Sequence, residues 1–251
     1  MIVGFIGFGD VASTISENLI RNGCEIVSSS IGRSLKTKKL IEKLKVKDLN
    51  NFKEVAKNCD ILISANTPSK AISIGKKYGS ITDNILLDLN NISPTSTKKI
   101  GNMVGGNFVD GAIIGKISSN SSIIILSGEK AEKIAILNDY GLNIKIISDK
   151  LGDASKLKML RSIYTKGVST LLIESFEIAE QMDLEKELLN ILTISEGDNF
   201  KDSSKSRIEN SIKHSRRKYE EVEEIIDFLD EFENVNIELI ESMKYTYNKL
   251  Y

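Results

Sequence analysis

A short apolar run, Ile2–Ile6, leads directly into Gly7-Phe8-Gly9-Asp10-Val11-Ala12, and then into an amphipathic stretch with Val11, Ile15 and Leu19 on one face and Gly23 behind it. Strand, then G-x-G-x-x-A, then helix is the order that starts a dinucleotide-binding α/β domain. The residue types have separate physical jobs. Gly7 permits the tight turn, and Gly9 lets backbone approach a pyrophosphate. Ala12 is small enough for the helix to pack close to the sheet. The helix start offers unpaired N–H groups and the positive end of its dipole. Gly7, Phe8, Gly9, Asp10, Val11 and Ala12 are therefore the predicted cofactor loop. A Gly-rich turn without ligand and a methyltransferase loop for S-adenosylmethionine are the rival readings.

Further short runs rich in Ile and Val follow at Glu25–Ser28, Ile61–Ala65, Ile85–Leu89, Phe108–Ile114, Ser122–Leu126 and Ile144–Ile147. Apolar on both faces, they read as buried parallel strands. Helical patterns lie between them at Ser69–Tyr78, Ser96–Met103 and Glu129–Tyr140. Beyond residue 150 the pattern turns wholly helical: Ala154–Met182, Leu184–Ser195, Arg207–Phe232 and Val235–Leu250, with a polar segment at Gly197–Lys205. The fold expected is α/β. An N-terminal Rossmann domain, a doubly wound and mostly parallel sheet, covers 1–148, and an all-α C-terminal domain covers 151–251.

The second strand chooses between cofactors. A site for NAD usually places an acid at the end of that strand, on the ribose hydroxyls. Glu25 comes too early, and no acid occurs from Ile26 through Ser34. Arg33 and Ser34 arrive where a 2′-phosphate would sit, and a guanidinium is a planar phosphate clamp. NADP is the expected cofactor, with Arg33 as an ordinary loop arginine the alternative.

Composition removes several function classes. The 34 basic and 35 acidic residues leave a net charge of −1, which lacks the basic face of a nucleic-acid binder. His214 is the sole histidine, so no His-rich zinc site can form, and no metal is expected. Cys24 and Cys59 sit in separate apolar stretches and read as reduced core thiols. No run is long enough to span a bilayer, and Met1–Gly9 lacks a basic n-region. A cytoplasmic protein without nucleic-acid or membrane partners is expected.

Several motifs together resemble the β-hydroxyacid dehydrogenase superfamily, which includes 6-phosphogluconate and 3-hydroxyisobutyrate dehydrogenases. They are Gly4–Gly9, Ser64-Ala65-Asn66-Thr67-Pro68, Asp88-Leu89-Asn90-Asn91-Ile92-Ser93-Pro94, Val109-Asp110-Gly111-Ala112-Ile113-Ile114-Gly115 and Gly152-Asp153-Ala154-Ser155-Lys156-Leu157-Lys158-Met159. Tyr164–Gly167 and His214–Glu221 are similar to a 6-phosphogluconate dehydrogenase-like branch with a distinctive helical C-terminal domain, which includes archaeal hypothetical NADP-binding proteins. The resemblance implies a nicotinamide-dependent dehydrogenase or reductase of a small anionic hydroxy or oxo acid, with Lys158 as acid–base group. It implies that Thr67, Pro68 and Asn91 line the strand ends toward the nicotinamide, and that relatives form homodimers. Asp110, Gly115, Ser162, Lys166, His214 and Arg217 are the candidate substrate residues. Two departures stand out. Ser162 replaces the usual asparagine one turn after the lysine, and Ile114-Gly115-Lys116 replaces a serine followed by two glycines. They keep open a second reading, an NADP(H)-binding sensor without turnover.

Overall fold

The computed structural model describes residues 1–81, 84–119 and 122–251. Its sheet has eight strands: β1 (Ile2–Ile6), β2 (Glu25–Ser28), β3 (Lys47–Asp48), β4 (Ile61–Ser64), β5 (Ile85–Asp88), β6 (Phe108–Ile114), β7 (Ile123–Ser127) and β8 (Ile144–Ser148). They lie in the order β3-β2-β1-β4-β5-β6-β7-β8. Neighbours run parallel except β6 and β7, which are antiparallel. The doubly wound, mostly parallel sheet expected from the sequence is present.

Strand alternation explains the two layers. Ile61 and Ile63 of β4 face one core and Leu62 faces the other. On the first side, helix α1 (Asp10–Arg21) buries Ala12, Ile15 and Leu19, each large apolar side chain contributing about 1.5–3 kcal/mol. Helix α2 (Leu35–Lys43) adds Ile41, and α6 (Ala131–Ala135) adds Ala131 and Ile134. On the second side lie α3 (Phe52–Lys57), α4 (Ala71–Ile74) and α5 (Pro94–Val104), contributing Val55, Ile74 and Ile100.

Three local expectations change. Strand β3 was not anticipated, because both its residues are exposed and carry no apolar pattern; α2 and α3 were not anticipated either. The helix expected over Glu129–Tyr140 is α6 followed by a tighter 3-10 turn, Ile136–Tyr140. The single helix expected over Arg207–Phe232 is two.

The chain packs as two compact units, Met1–Lys158 and Met159–Tyr251. The boundary falls within α7 (Asp153–Gln181), which α8 (Glu185–Glu196), α9 (Phe200–Lys213), α10 (Ser215–Leu229) and α11 (Glu238–Lys249) follow. Helix α9 begins within the stretch read as polar. It ends at His214, whose non-helical backbone (φ −122°, ψ 26°) separates it from α10. Ser215 is buried there, and its hydroxyl donates to the Leu250 carbonyl at 3.2 Å, pinning the start of α10 to the end of α11. The core of the second unit joins Val222, Ile225 and Phe228 to Ile240, Met243 and Tyr247. No described helix is long and apolar enough to cross a membrane.

Candidate functional site

The crest formed by the C-terminal ends of β1, β4 and β5 carries the candidate cofactor groups. Gly7 has φ +88°, and a Cβ there would lie 2.5 Å from the Ala65 carbonyl oxygen. Only glycine fits this turn. Gly9 is the N-cap of α1 and gives it no side-chain acceptor; a Cβ at Gly9 would meet nothing within 4 Å. The leading N–H groups of α1 thus border open, exposed space, where the helix dipole favours an anion. Ala12 is fully buried under the sheet. Phe8 is buried too, edge-on to Phe5 at 5.9 Å, so only its backbone is available at the loop. Val11 is half-buried against the same core. The exposed carboxylate of Asp10 pairs with Lys36 of α2 at 2.8 Å, which offsets a negative charge that would repel a phosphate.

Arg33 and Ser34 are both exposed on the β2–α2 turn. The Arg33 guanidinium lies 5.9 Å from the Phe52 ring centroid. Ser34 caps α2, accepting from the Thr37 N–H at 3.3 Å. An acid does reach the end of β2. Asp48, level with Ser28 across β3, accepts from the Ser30 N–H at 2.8 Å. Inspection of residues 26–34 alone could not find it, because it arrives from a neighbouring strand.

Thr67 and Pro68 are exposed just beyond β4, and Asn91 follows β5 in a left-handed conformation with φ +57°. Beneath them lies a buried network that the sequence reading gave no role. The Asn90 amide donates to Ser64 Oγ at 2.7 Å and to the Asp88 carboxylate, while the Asn90 backbone N–H reaches Asp88 Oδ2 at 3.1 Å. Asn66 links this group to β1: its N–H donates to the Asn90 side-chain oxygen, and its side-chain amide donates to the Ile6 carbonyl. Burial pushes the Asp88 carboxyl up to about 7, helped by the charge of Asp110; hydrogen bonds from Asn90 and Ser64 act the other way. The available signal was the presence of polar residues at the ends of apolar strands.

Asp110 lies level with Asp88 on β6 and is 1% exposed. It accepts from the Ser155 N–H at 2.9 Å, the Ser155 hydroxyl at 2.7 Å and the Ser127 hydroxyl at 3.2 Å. These bonds tie it to the first turn of α7. Ala154 stands where the family motif has its second glycine; it is fully buried against Ala112 and Ile125. Lys158, one turn further along α7, is half-buried, and its charge favours the ionised form of Asp110. Gly115 ends β6, exposed, with φ +87°.

The remaining candidate substrate residues lie in the second unit. Ser162 is half-buried. Lys166 is 5% exposed, paired with Glu221 at 2.8 Å, and its carbonyl accepts from the Tyr247 hydroxyl at 3.3 Å. Its amine is thus engaged by a carboxylate of α10. Arg217 shares the Glu221 carboxylate at 3.0 Å while its own side chain stays exposed. Burial opposes the charge on Glu221, but Lys166 and Arg217 outweigh it and lower its pKa. His214 is exposed at the α9–α10 break. Lys166 and Arg217 therefore converge on one carboxylate.

The chain belongs to one family with an uncharacterized archaeal protein and with a conserved protein whose structure is similar to 3-hydroxyacid dehydrogenases, which is consistent with the β-hydroxyacid dehydrogenase superfamily. Residues 2–92 match the family described as "NADP oxidoreductase coenzyme F420-dependent", and residues 179–250 match "Domain of unknown function (DUF1932)". Among individual proteins, the chain is 46% identical over 230 residues to the "Uncharacterized 28.5 kDa protein in 7S RNA 5'region" of Methanothermus fervidus, covering 91% of each. A conserved protein of unknown function, with a solved structure described as similar to 3-hydroxyacid dehydrogenases, superposes with a TM-score of 0.88 at 39% identity, covering 100% of this chain and 96% of that one. The chain is also 26% identical over 210 residues to glyoxylate/succinic semialdehyde reductase 1 of Arabidopsis thaliana, covering 77% of this chain and 72% of the relative.

Proposed function

We propose that this protein is an NADP-dependent oxidoreductase of a small anionic hydroxy or oxo acid. The observation that carries the reading is the bare start of α1 over Gly9, beside a Gly7 turn that admits no side chain. Arg33 and Ser34 would hold the 2′-phosphate, while Thr67, Pro68 and Asn91 would border the nicotinamide. Asp48 at the end of β2 is an acid placed where a ribose hydroxyl of NAD would be held, so Asp48→Asn belongs in the same cofactor titration. Bound NADP supplies the hydride acceptor or donor. Within the chain, Lys158 takes or returns the hydroxyl proton. The reductase named in the plant relative acts on small oxo acids, which favours that substrate class. Cys24 and Cys59 are free and buried, which suits a reducing cytoplasm.

We further propose a homodimer. Leu157, Leu160, Tyr164, Leu171 and Ile178 are all exposed on α7. At 100° per residue they fall within a stripe about 60° wide, a seam-like spacing. Helix α8 buries none of its residues, and its Ile194 is 86% exposed. A stripe that long along one helix is self-complementary about a two-fold axis, so a second copy is the occupant that fits.

The cofactor reading is tested by titrating the protein with NADPH, NADH and S-adenosylmethionine, alongside Arg33→Ala. NADPH is expected to bind best, and Arg33→Ala to weaken it about tenfold or more while sparing NADH. Absence of nicotinamide binding would sink the oxidoreductase reading. Tight NADPH binding without turnover of any hydroxy or oxo acid would favour the sensor.

A further inference from the structure

The start of α7 is capped from the sheet rather than from its own chain segment. A helix leaves its first four N–H groups without intrahelical partners. Here the Ala154 N–H donates to Ser127 Oγ of β7 at 2.9 Å, and the Ser155 N–H donates to Asp110 Oδ2 of β6 at 2.9 Å. The Ser127 hydroxyl then donates to Asp110, as does the Ser155 hydroxyl at 2.7 Å. Thr97 of α5 completes the chain, 3.3 Å from Ser155 Oγ. One buried carboxylate thus gathers β7 and the first turn of α7, and Lys158 follows Ser155 by three residues, on the same helix face. Among the described residues, charged groups near this point include Asp88 on β5, and Asp153 with Lys156 on α7, which pair at 2.8 Å.

We infer that Asp110 is a positioning residue for Lys158: through Ser155 and the first turn of α7 it fixes the lysine's place. The inference rests on the reading of Lys158 as the acid–base group. It assigns Asp110 to the lysine rather than to the substrate. Burial prevails and raises the Asp110 carboxyl above the usual carboxylate range, while the Ser155 and Ser127 donors, and after them the charge of Lys158, act the other way. The dependence is mutual, because a carboxylate and an ammonium that interact stabilise each other's charged forms.

The test needs neither substrate nor cofactor, so it can fail while the oxidoreductase reading survives, and the reverse. Lysines of the full-length protein are labelled with trinitrobenzenesulfonate across a pH series and quantified by peptide mass spectrometry, with exposed Lys145 as internal standard. Asp110→Asn keeps an acceptor for the Ser155 N–H but removes the charge. It is expected to raise the labelling of Lys158 relative to Lys145 about three- to tenfold at fixed pH and to move its pH profile downward. Ser127→Ala retains the charge and should speed amide exchange at Ala154 without moving that profile. Should Asp110→Asn fail to fold, Ser155→Ala takes its place, with about a twofold rise expected. An unchanged Lys158 profile in a folded Asp110→Asn or Ser155→Ala protein overturns the inference and leaves Asp110 a helix cap alone.

Discussion

The crest of the first unit and the outer face of α7 in the second treat their side chains in opposite ways. At the crest, polar groups are buried and tied to one another: Ser64, Asn66, Asp88 and Asn90 join three strand ends through hydrogen bonds. Along α7, apolar groups stand in water: Leu171 is 66% exposed and Ile178 59%. Buried polar groups are tolerated only when paired, and a long apolar stripe is tolerated only when something covers it. The crest polar groups find their partners within one chain; the α7 stripe is the face that the proposed second copy would cover.

The largest effect that would sharpen this contrast is a pH dependence. Asp88 is lifted by burial from 3.8 to about 7, so between those values the folded protein holds a proton that the unfolded chain has released. Stability from this group is full below pH 4 and is lost as pH rises through 7. At 1.4 kcal/mol per pH unit the loss is on the order of 4 kcal/mol across that window. Denaturant melts from pH 4 to 8 should show a slope that is shallower by about one proton in Asp88→Asn. Equal slopes would mean that the buried network does not hold Asp88 protonated.

Next comes the Gly7 turn. Gly7→Ala combines a left-handed backbone with a contact against Ala65. It should cost about 2–3 kcal/mol and abolish NADPH binding, whereas Gly9→Ala should fold almost normally and only weaken NADPH. Thermal melts with cofactor titration separate the two; equal stability loss in both would break the distinction between a turn glycine and a ligand glycine.

The smallest effect on a single chain belongs to α7. Leu171→Asp with Ile178→Asp should change the fold by no more than about 0.5 kcal/mol per site, yet halve the mass measured by sedimentation. A variant that keeps the wild-type mass would mean that this stripe does not hold two copies together.

The particulars show what could be seen early. The G-x-G-x-x-A loop and the seven Ile- and Val-rich strands were legible because glycine spacing and apolar periodicity are local. Strand β3 was not, since two exposed residues carry no pattern. The helix break at His214 was missed because the apolar stripe after Arg207 reads as continuous; the break is stabilised by Ser215 meeting Leu250, 35 residues away. Lys166 reads as a substrate candidate from its helical spacing after Lys158 and Ser162, and its pairing with Glu221 of α10 could not be seen in that spacing.

By itself the sequence determined the seven apolar strands, the glycine loop after the first of them and the change to an all-helical pattern beyond residue 150, all of which depend on neighbours along the chain. Only the tertiary structure decided which polar groups are spent and which are free. Asp48 at the end of β2, Asp110 at the start of α7 and Glu221 on Lys166 each come from a distant segment. A charged group's role follows from its burial and its partners, and in these three places both are set by contacts across 18 to 55 positions of sequence.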